Sequence, residues 1–338
     1  MSFFPEQKPF QTGHLETGDG HRLYWERCGK QGGVPAVFLH GGPGSGCTPK
    51  YRRFFDPERF DLVLFDQRGC GRSAPLYSLK NNTTQHLISD IEALRISMGV
   101  EKWIVMGPSW GSTLALAYSQ AHPASVSGLL VEGVFLGSND ELAWWHTRPG
   151  APNLFPDAFK DFLAGKAGPQ KSAINSFFEE AVAIMQSEIA DGLRSMDGLE
   201  SGKATLSELR RSLLYRWTEY EDRISWLDMS ADEVRTGLAA RGKAFIATHS
   251  LIEAHYFAHR CFLRENQLLD DARKLDGIAM EIINSRYDVV CPPRTAHQLA
   301  DACPHARLTL VPNNGHAMTE SMFPYVREAL ERLAKAAA

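Results

Sequence analysis

Ser109 is the first candidate for chemistry, because it stands at the centre of a Gly-x-Ser-x-Gly motif, GPSWG at 107–111. The motif lies between an apolar run at 103–106, typical of a strand, and a helical pattern at about 111–122. At such a strand-to-helix turn the serine adopts a strained conformation that exposes its hydroxyl, and the glycines let the helix pass close to the strand. The helix N-terminus also favours a developing negative charge. The motif therefore predicts a nucleophilic serine.

A serine hydroxyl is a weak nucleophile and needs a base. His316, in NNGH at 313–316, follows the last predicted strand, and Asp288, in SRYD at 285–288, follows the preceding one. Both loops lie at carboxyl ends of strands, where sheets of this kind place their sites, and the order Ser, Asp, His is that of α/β-hydrolases. We predict that His316 removes the Ser109 proton and returns it to the leaving group. Asp288 would orient the imidazole and stabilise its charged form.

Acyl transfer also needs at least two N–H groups aimed at the oxyanion, each of which lowers the barrier by about 3 kcal/mol. The glycine-rich segment LHGGPG at 39–44 follows a predicted strand and can bring its backbone close to the serine. The N–H groups of Gly42 and Trp110 are therefore the oxyanion-hole candidates. A phosphate-binding loop is a poor interpretation of this segment, because Lys50 does not complete the Gly-x4-Gly-Lys-Ser/Thr pattern.

The elements that must position these residues alternate between short apolar runs and helical patterns. Strands are predicted at 34–39, 62–65, 103–106, 129–135, 278–283 and 308–311, and helices at 83–98, 111–122, 295–302 and 324–337. Between the two halves, helix-like stretches dominate, at 174–189, 206–217 and 243–262. We predict an α/β catalytic domain, 1–137 with 277–338, in which helices flank a mainly parallel sheet. A helical domain is inserted at 138–276.

Composition narrows the class of protein. The 338 residues are 43% hydrophobic and 22% charged, which is typical of a globular protein. Lys and Arg number 36 against 40 Asp and Glu, which gives a net charge of −4. This balance gives no sign of the basic surface that nucleic-acid-binding proteins carry. No apolar run approaches the roughly 18 residues that span a bilayer. The N-terminus has no basic region followed by an apolar stretch, so we expect no secretory signal, no membrane partner and no nucleic-acid partner.

Cysteine and histidine spacing gives no metal-binding pattern. The six cysteines include no Cys-x-x-Cys pair, which argues against a disulfide framework or zinc site and favours a reducing, cytoplasmic setting. His255 and His259 are four residues apart, but they lack the intervening glutamate of a His-Glu-x-x-His motif. We expect neither a metal nor a cofactor.

Longer stretches of the chain resemble the prolyl aminopeptidase (proline iminopeptidase) family, serine peptidases of the α/β-hydrolase fold. They are HGGPGSG (40–46), DQRGCGRS (66–73), NNTTQHLISDIEALR (81–95), SWGSTLALAYSQAHP (109–123), FPDAF (155–159), SRYDVVCPP (285–293) and GHA (315–317). The resemblance implies a serine exopeptidase that releases an N-terminal residue, preferentially proline, from short peptides through an acyl-enzyme. It also implies that the insertion is a helical cap over the site.

The resemblance further implies that two carboxylates of the cap bind the free amino terminus of the substrate. Glu221 ends WTEYE at 217–221, and Glu253 lies in IEAHYF at 252–257. A cationic amine in a closed pocket needs an anionic partner, because an unpaired buried charge is very costly. Such a pair would explain exopeptidase activity, since a peptide bond in mid-chain presents no ammonium group there.

Three residues depart from the family pattern. Pro108 replaces the glycine that commonly precedes the serine, Glu132 stands where arginine is expected, and Tyr220 replaces a tryptophan. These departures leave open a serine esterase or amidase of the same fold that acts on amino-acid esters or amides without strict proline preference. The intact Ser, Asp and His argue against a binding protein on an inactive hydrolase fold.

Overall fold

The computed structural model describes residues 3–337, which form two compact units. The first unit runs to Leu136 and resumes at Asn266, and the second unit is Gly137–Glu265. The predicted insertion ended later, at residue 276. Residues 266–276 belong instead to the first unit, where Gln120 Nε2 donates a 2.7 Å hydrogen bond to the Leu268 carbonyl oxygen.

The first unit is built on one eight-stranded sheet. Its strands are β1 (Gln11–Glu16), β2 (Arg22–Gly29), β3 (Val34–Phe38), β4 (Phe60–Phe65), β5 (Trp103–Pro108), β6 (Val126–Glu132), β7 (Met280–Ser285) and β8 (Arg307–Val311). Their spatial order is β1-β2-β4-β3-β5-β6-β7-β8. All neighbours from β4 onward in that order pair in parallel, whereas β1 with β2 and β2 with β4 are antiparallel. The predicted mainly parallel sheet is confirmed.

Helices cover the sheet and make up most of the second unit. They are α1 (Pro49–Arg52), α2 (Thr84–Ser97), α3 (Trp110–Ala121), α4 (Asn139–His146), α5 (Ala151–Leu154), α6 (Pro156–Leu163), α7 (Ile174–Ala190), α8 (Leu206–Leu209), α9 (Leu213–Ser225), α10 (Ala231–Ala258), α11 (Gln267–Asp270), α12 (Pro293–Ala302) and α13 (Phe323–Ala336). Short 3-10 turns lie at Pro123–Ser125, Lys171–Ala173, Arg194–Met196, Arg260–Phe262 and Ala272–Leu275. Within residues 3–337, no helix combines the length and the apolar character that crossing a bilayer requires.

The parallel strands at the centre are buried throughout, and this explains why their sequences were easy to recognise. Every residue of β4, β5 and β7 is buried, since helices cover both faces of a parallel sheet. The antiparallel strands β1 and β2 were not predicted. β1, QTGHLE, exposes most of its side chains and so carries no apolar run.

The second unit contains one correction to the predicted helices. A single helix at 206–217 is wrong, because the chain forms α8 and then α9. Ser212 separates the two helices: its Oγ accepts a hydrogen bond from the Tyr215 N–H and caps α9. Within α10, Gly242 has a non-helical backbone (φ +82°, ψ 166°) that divides it into two helical segments, so the helix predicted from residue 243 begins where the second segment does, and it ends at Ala258.

Candidate active site

Ser109 occupies a sharp turn between β5 and α3. Its φ of +54° and ψ of −126° lie in a region that residues with a Cβ rarely adopt. A Cβ added to Gly107 would lie 2.0 Å from the Gly111 carbonyl oxygen, and one added to Gly111 would lie 2.1 Å from the Leu39 carbonyl oxygen. Both motif glycines are therefore required for the close approach of strand and helix, and this packing holds Ser109 in its strained conformation.

Ser109, His316 and Asp288 form one hydrogen-bonded chain. His316 Nε2 lies 3.0 Å from Ser109 Oγ, and His316 Nδ1 lies 2.9 Å from Asp288 Oδ2. The side chain of Asp288 is fully buried, whereas that of His316 is 11% exposed. The arrangement can move a proton from the serine to the imidazole while the carboxylate faces the opposite ring nitrogen.

The loop after β7 holds the second oxygen of Asp288. The Cys291 N–H donates to Asp288 Oδ1 at 2.7 Å, which leaves Oδ2 for His316. Gly133, just after β6, lies against the same pair. A Cβ added there would be 3.3 Å from His316 Cε1 and 3.6 Å from Asp288 Oδ2. The strand ends of β6, β7 and β8 thus converge on the imidazole.

The glycine-rich segment after β3 lies beside the serine. β3 and β5 are parallel neighbours, so their carboxyl ends share one edge of the sheet. A Cβ added to Gly41 would be 3.5 Å from Ser109 Cβ, and the next residue, Gly42, has a φ of +107°. Trp110 is the first residue of α3, where the helix itself does not use the backbone N–H. Both oxyanion candidates therefore belong to segments that border Ser109.

Gln67, in the DQRGCGRS stretch, ties these two segments together. Its backbone N–H donates to His40 Nε2 at 3.0 Å, and its Nε2 donates to the His40 carbonyl oxygen at 2.8 Å. Its Oε1 accepts a hydrogen bond from Trp110 Nε1 at 2.9 Å. The signal in the sequence was the distinctive DQRGCGRS stretch, but the partners on each side could not be identified from it.

Glu132 is buried at the end of β6, near Ser109, His316 and Asp288. It is 1% exposed, and its backbone carbonyl accepts the Ser109 N–H at 2.9 Å. Its neighbour across the strands is Pro108, the last residue of β5. Burial raises the pKa of Glu132 to about 8, while the charge of His316 lowers it and that of Asp288 raises it further. The carboxyl group is therefore an uncharged acid at neutral pH.

In the second unit, the two predicted amine-binding glutamates lie on adjacent helices. Trp217 Nε1 donates to Glu253 Oε2 at 2.5 Å, and His249 Nε2 forms a short hydrogen bond with Glu221 Oε2. Glu253 is 0% exposed. Burial raises its pKa well above the usual range, and the negative charge of Glu221 raises it further. Binding of a cation would relieve this repulsion and favour ionisation of both groups, so the pair becomes an anionic site when a cation binds.

Among residues 3–337, two groups of His, Cys, Asp or Glu side chains place their possible metal-ligand atoms within 4.8 Å of one another. They are Asp288, Cys291 and His316, and Glu221, His249 and Glu253. The first group already includes the partner of Ser109, and the second is the anionic site just described. His255 and His259, considered from the sequence, do not belong to either group.

Tyr220 packs in the aromatic core of the second unit. Its hydroxyl donates to the Trp145 carbonyl oxygen at 2.6 Å, and its ring stacks on Phe162 at 5.0 Å. Burial raises the pKa of this hydroxyl above its usual range. Tyr220 is thus anchored in this core by both a ring stack and a hydrogen bond.

The fold and the site define a hydrolase of the α/β-hydrolase class. A family model described as alpha/beta hydrolase fold matches residues 35–178. A solved structure of a proline iminopeptidase-related protein from Thermus thermophilus has a TM-score of 0.60 and 19% identity, covering 96% of this chain and 99% of that one. This likeness confirms the predicted fold.

Curated relatives identify the family more narrowly. The chain is 41% identical over 320 residues to the proline iminopeptidase of Xylella fastidiosa strain 9a5c, covering 94% of this chain and 95% of the relative. It is 39% identical over 316 residues to the proline iminopeptidase of Arabidopsis thaliana, covering 93% of this chain and 77% of the relative. The chain belongs to the proline iminopeptidase family, which confirms the resemblance seen in its sequence motifs.

Proposed function

We propose that the protein is a serine aminopeptidase that releases N-terminal proline from short peptides. The observation that carries the hydrolytic part is the hydrogen-bonded chain from Ser109 through His316 to Asp288. Family membership supports the peptide substrate and the proline preference. The reaction uses side chains, backbone N–H groups and water.

In the first half of the reaction, Ser109 Oγ attacks the carbonyl carbon of the N-terminal residue. His316 Nε2 takes the serine proton, and Asp288 stabilises the imidazolium that results. The Trp110 and Gly42 N–H groups donate to the tetrahedral oxyanion. His316 then passes its proton to the leaving amine, and the acyl-enzyme forms as the peptide bond breaks.

In the second half, water repeats the cycle. His316 takes a proton from a water molecule, the resulting hydroxide attacks the acyl carbon, and the proton returns to Ser109 Oγ as the ester breaks. The products are the shortened peptide and the released amino acid.

Glu221 and Glu253 bind the ammonium group of the substrate in this proposal. A secondary amine such as that of N-terminal proline is a cation at neutral pH, and two adjacent carboxylates of low exposure offer the compensating charge. An N-acylated substrate lacks this charge. The cytoplasmic setting inferred from the cysteines stays a prediction.

A paired hydrolysis assay tests the proposal. It compares prolyl-p-nitroanilide with its N-acetyl derivative, with alanyl-p-nitroanilide and p-nitrophenyl acetate as controls. We expect strong turnover of the prolyl amide with the unblocked amine and little turnover of the blocked one. Ester turnover without preference for the unblocked amine would refute the aminopeptidase assignment and leave the esterase or amidase alternative. A fluorophosphonate probe should label Ser109 in the active protein, as checked by peptide mass spectrometry.

A further inference from the structure

Glu221 and Glu253 each form a hydrogen bond with a side chain of the opposite helix. One of these partners, His249, has no role in the mechanism proposed above. Trp217 on α9 donates to Glu253 on α10, and His249 on α10 contacts Glu221 on α9. Trp217 and Glu221 are four residues apart on one helix, and so are His249 and Glu253 on the other. The four side chains therefore face one another across the two helices.

The orientation of the His249 ring is set by its packing. Its side chain is 7% exposed. The ring lies parallel to that of Phe245, one turn earlier, with 5.5 Å between centroids and 11° between planes. The Arg241 guanidinium covers the Phe245 ring at 4.6 Å from its centroid. A ring held in a stack of this kind can direct Nε2 at one acceptor.

The contact between His249 and Glu221 is important because of the charged groups around it. The two glutamates repel each other, and this repulsion contributes to the raised pKa of Glu253. The neighbouring Asp222 of α9 is paired with Arg241, so that cation is already engaged. A hydrogen bond from an imidazole to a carboxylate is charge-assisted, and it favours the ionised form of the acceptor.

One carboxylate oxygen of Glu253 stays available for a ligand. Its Oε2 accepts from Trp217, while its buried Oε1 has no hydrogen-bond partner among residues 3–337. An unsatisfied buried carboxylate oxygen is destabilising unless a ligand occupies it. In the proposed function, that ligand is the substrate ammonium.

We propose that His249 is a positioning residue for the amine site, holding Glu221 as an oriented carboxylate in the way that Trp217 holds Glu253. This inference rests on the proposed function, since it assigns His249 to the recognition of the same ammonium group. His249 acts through Glu221 and does not take part in acyl transfer.

The test replaces His249 by phenylalanine, which keeps a ring for the stack on Phe245 and removes the donor. We expect KM for prolyl-p-nitroanilide to rise about 10- to 100-fold, with kcat within roughly threefold. Turnover of p-nitrophenyl acetate should not change, because that ester has no amine to bind. Its turnover also reports whether the variant is folded.

Two further variants serve as controls. His249→Gln restores an N–H donor and should return KM to within roughly threefold of the wild type. His259→Phe makes the same chemical change at the exposed end of α10 and should leave KM unaltered.

The outcomes separate the two proposals. If the wild type prefers the unblocked amine but His249→Phe keeps the wild-type KM, the role of His249 is wrong and the proposed function stands. If His249→Phe loses ester and amide turnover equally, the residue supports the fold and does not position Glu221. A wild type without preference for the unblocked amine overturns both proposals.

Discussion

Replacing Glu132 by glutamine is expected to stabilise the protein at alkaline pH. The carboxyl group is 1% exposed, and its Oε1 has no hydrogen-bond partner within the described part of the chain. Burial disfavours the charged form and raises the pKa from 4.5 to about 8. An amide of nearly the same shape cannot ionise, so the variant avoids placing an anion in this buried position.

The sign and size of the effect follow from the two pKa values. The folded protein holds this proton more tightly than the unfolded chain, so the stabilisation is complete below pH 4.5 and is lost as the pH rises through about 8. The values differ by about 3.5 (8 minus 4.5). At about 1.4 kcal/mol for each pKa unit, the wild type loses about 5 kcal/mol of unfolding free energy across this interval.

Urea unfolding at pH 5, 7 and 9, followed by circular dichroism, measures the difference between wild type and Glu132→Gln. We expect the advantage of the variant to grow by about 4 kcal/mol between pH 5 and pH 9. A difference that stays constant with pH would show that Glu132 is already ionised in the folded protein and would refute the reasoning.

A matched control is available on the neighbouring strand. Glu281 of β7 is also buried, at 5% exposure, but Arg332 donates to both of its oxygens at 2.7 and 2.8 Å. Glu281→Gln should therefore lose stability at neutral pH, because it leaves a guanidinium without its carboxylate. If Glu132→Gln stabilises the protein and Glu281→Gln destabilises it, the effect at Glu132 is due to the absence of a partner that balances its charge.

Three further substitutions test the site. Ser109→Ala should lower kcat by about a million-fold for every substrate while the thermal midpoint stays near that of the wild type; residual activity near wild type would exclude Ser109 as the nucleophile. Glu221→Gln and Glu253→Gln should each lower kcat/KM for prolyl-p-nitroanilide by about 10- to 1000-fold and spare p-nitrophenyl acetate, whereas equal losses on both substrates would mean that the glutamates only support the fold. Gly133→Ala should lower kcat roughly tenfold with little change in KM, because φ is +55° there and the new Cβ would lie 3.3 Å from His316 Cε1; unchanged kcat would show that the imidazole can shift without loss.

The convergence of Ser109, Asp288 and His316 was predictable because the sequence signals for these residues are local. Ser109 stands in a short motif between an apolar strand and a helix, and both elements form within a few residues of the predicted bounds. Asp288 and His316 each follow a buried strand, and parallel strands bring their carboxyl ends to one edge. The convergence of these residues thus follows from topology and needs no knowledge of individual contacts.

Elements without an apolar pattern were not predictable. β1 exposes most of its side chains, and its pairing with β2 depends on backbone hydrogen bonds that any sequence can make. The break between α8 and α9 has a similar cause. The stretch 206–217 has helical periodicity, and only the cap formed by Ser212 ends one helix and starts the next.

The class of chemistry is already encoded in the order of residues along the chain: a serine, an aspartate and a histidine at the carboxyl ends of strands, with a glycine-rich segment beside them. Which polar groups near these residues have partners depends instead on the packing of distant elements. Nothing in the sequence indicates that Glu132 is buried without a hydrogen bond to Oε1. His249 gives no sign that it contacts Glu221, 28 positions away on another helix. Periodicity reports which face of an element is buried, whereas the pairing of side chains across elements depends on how those faces pack.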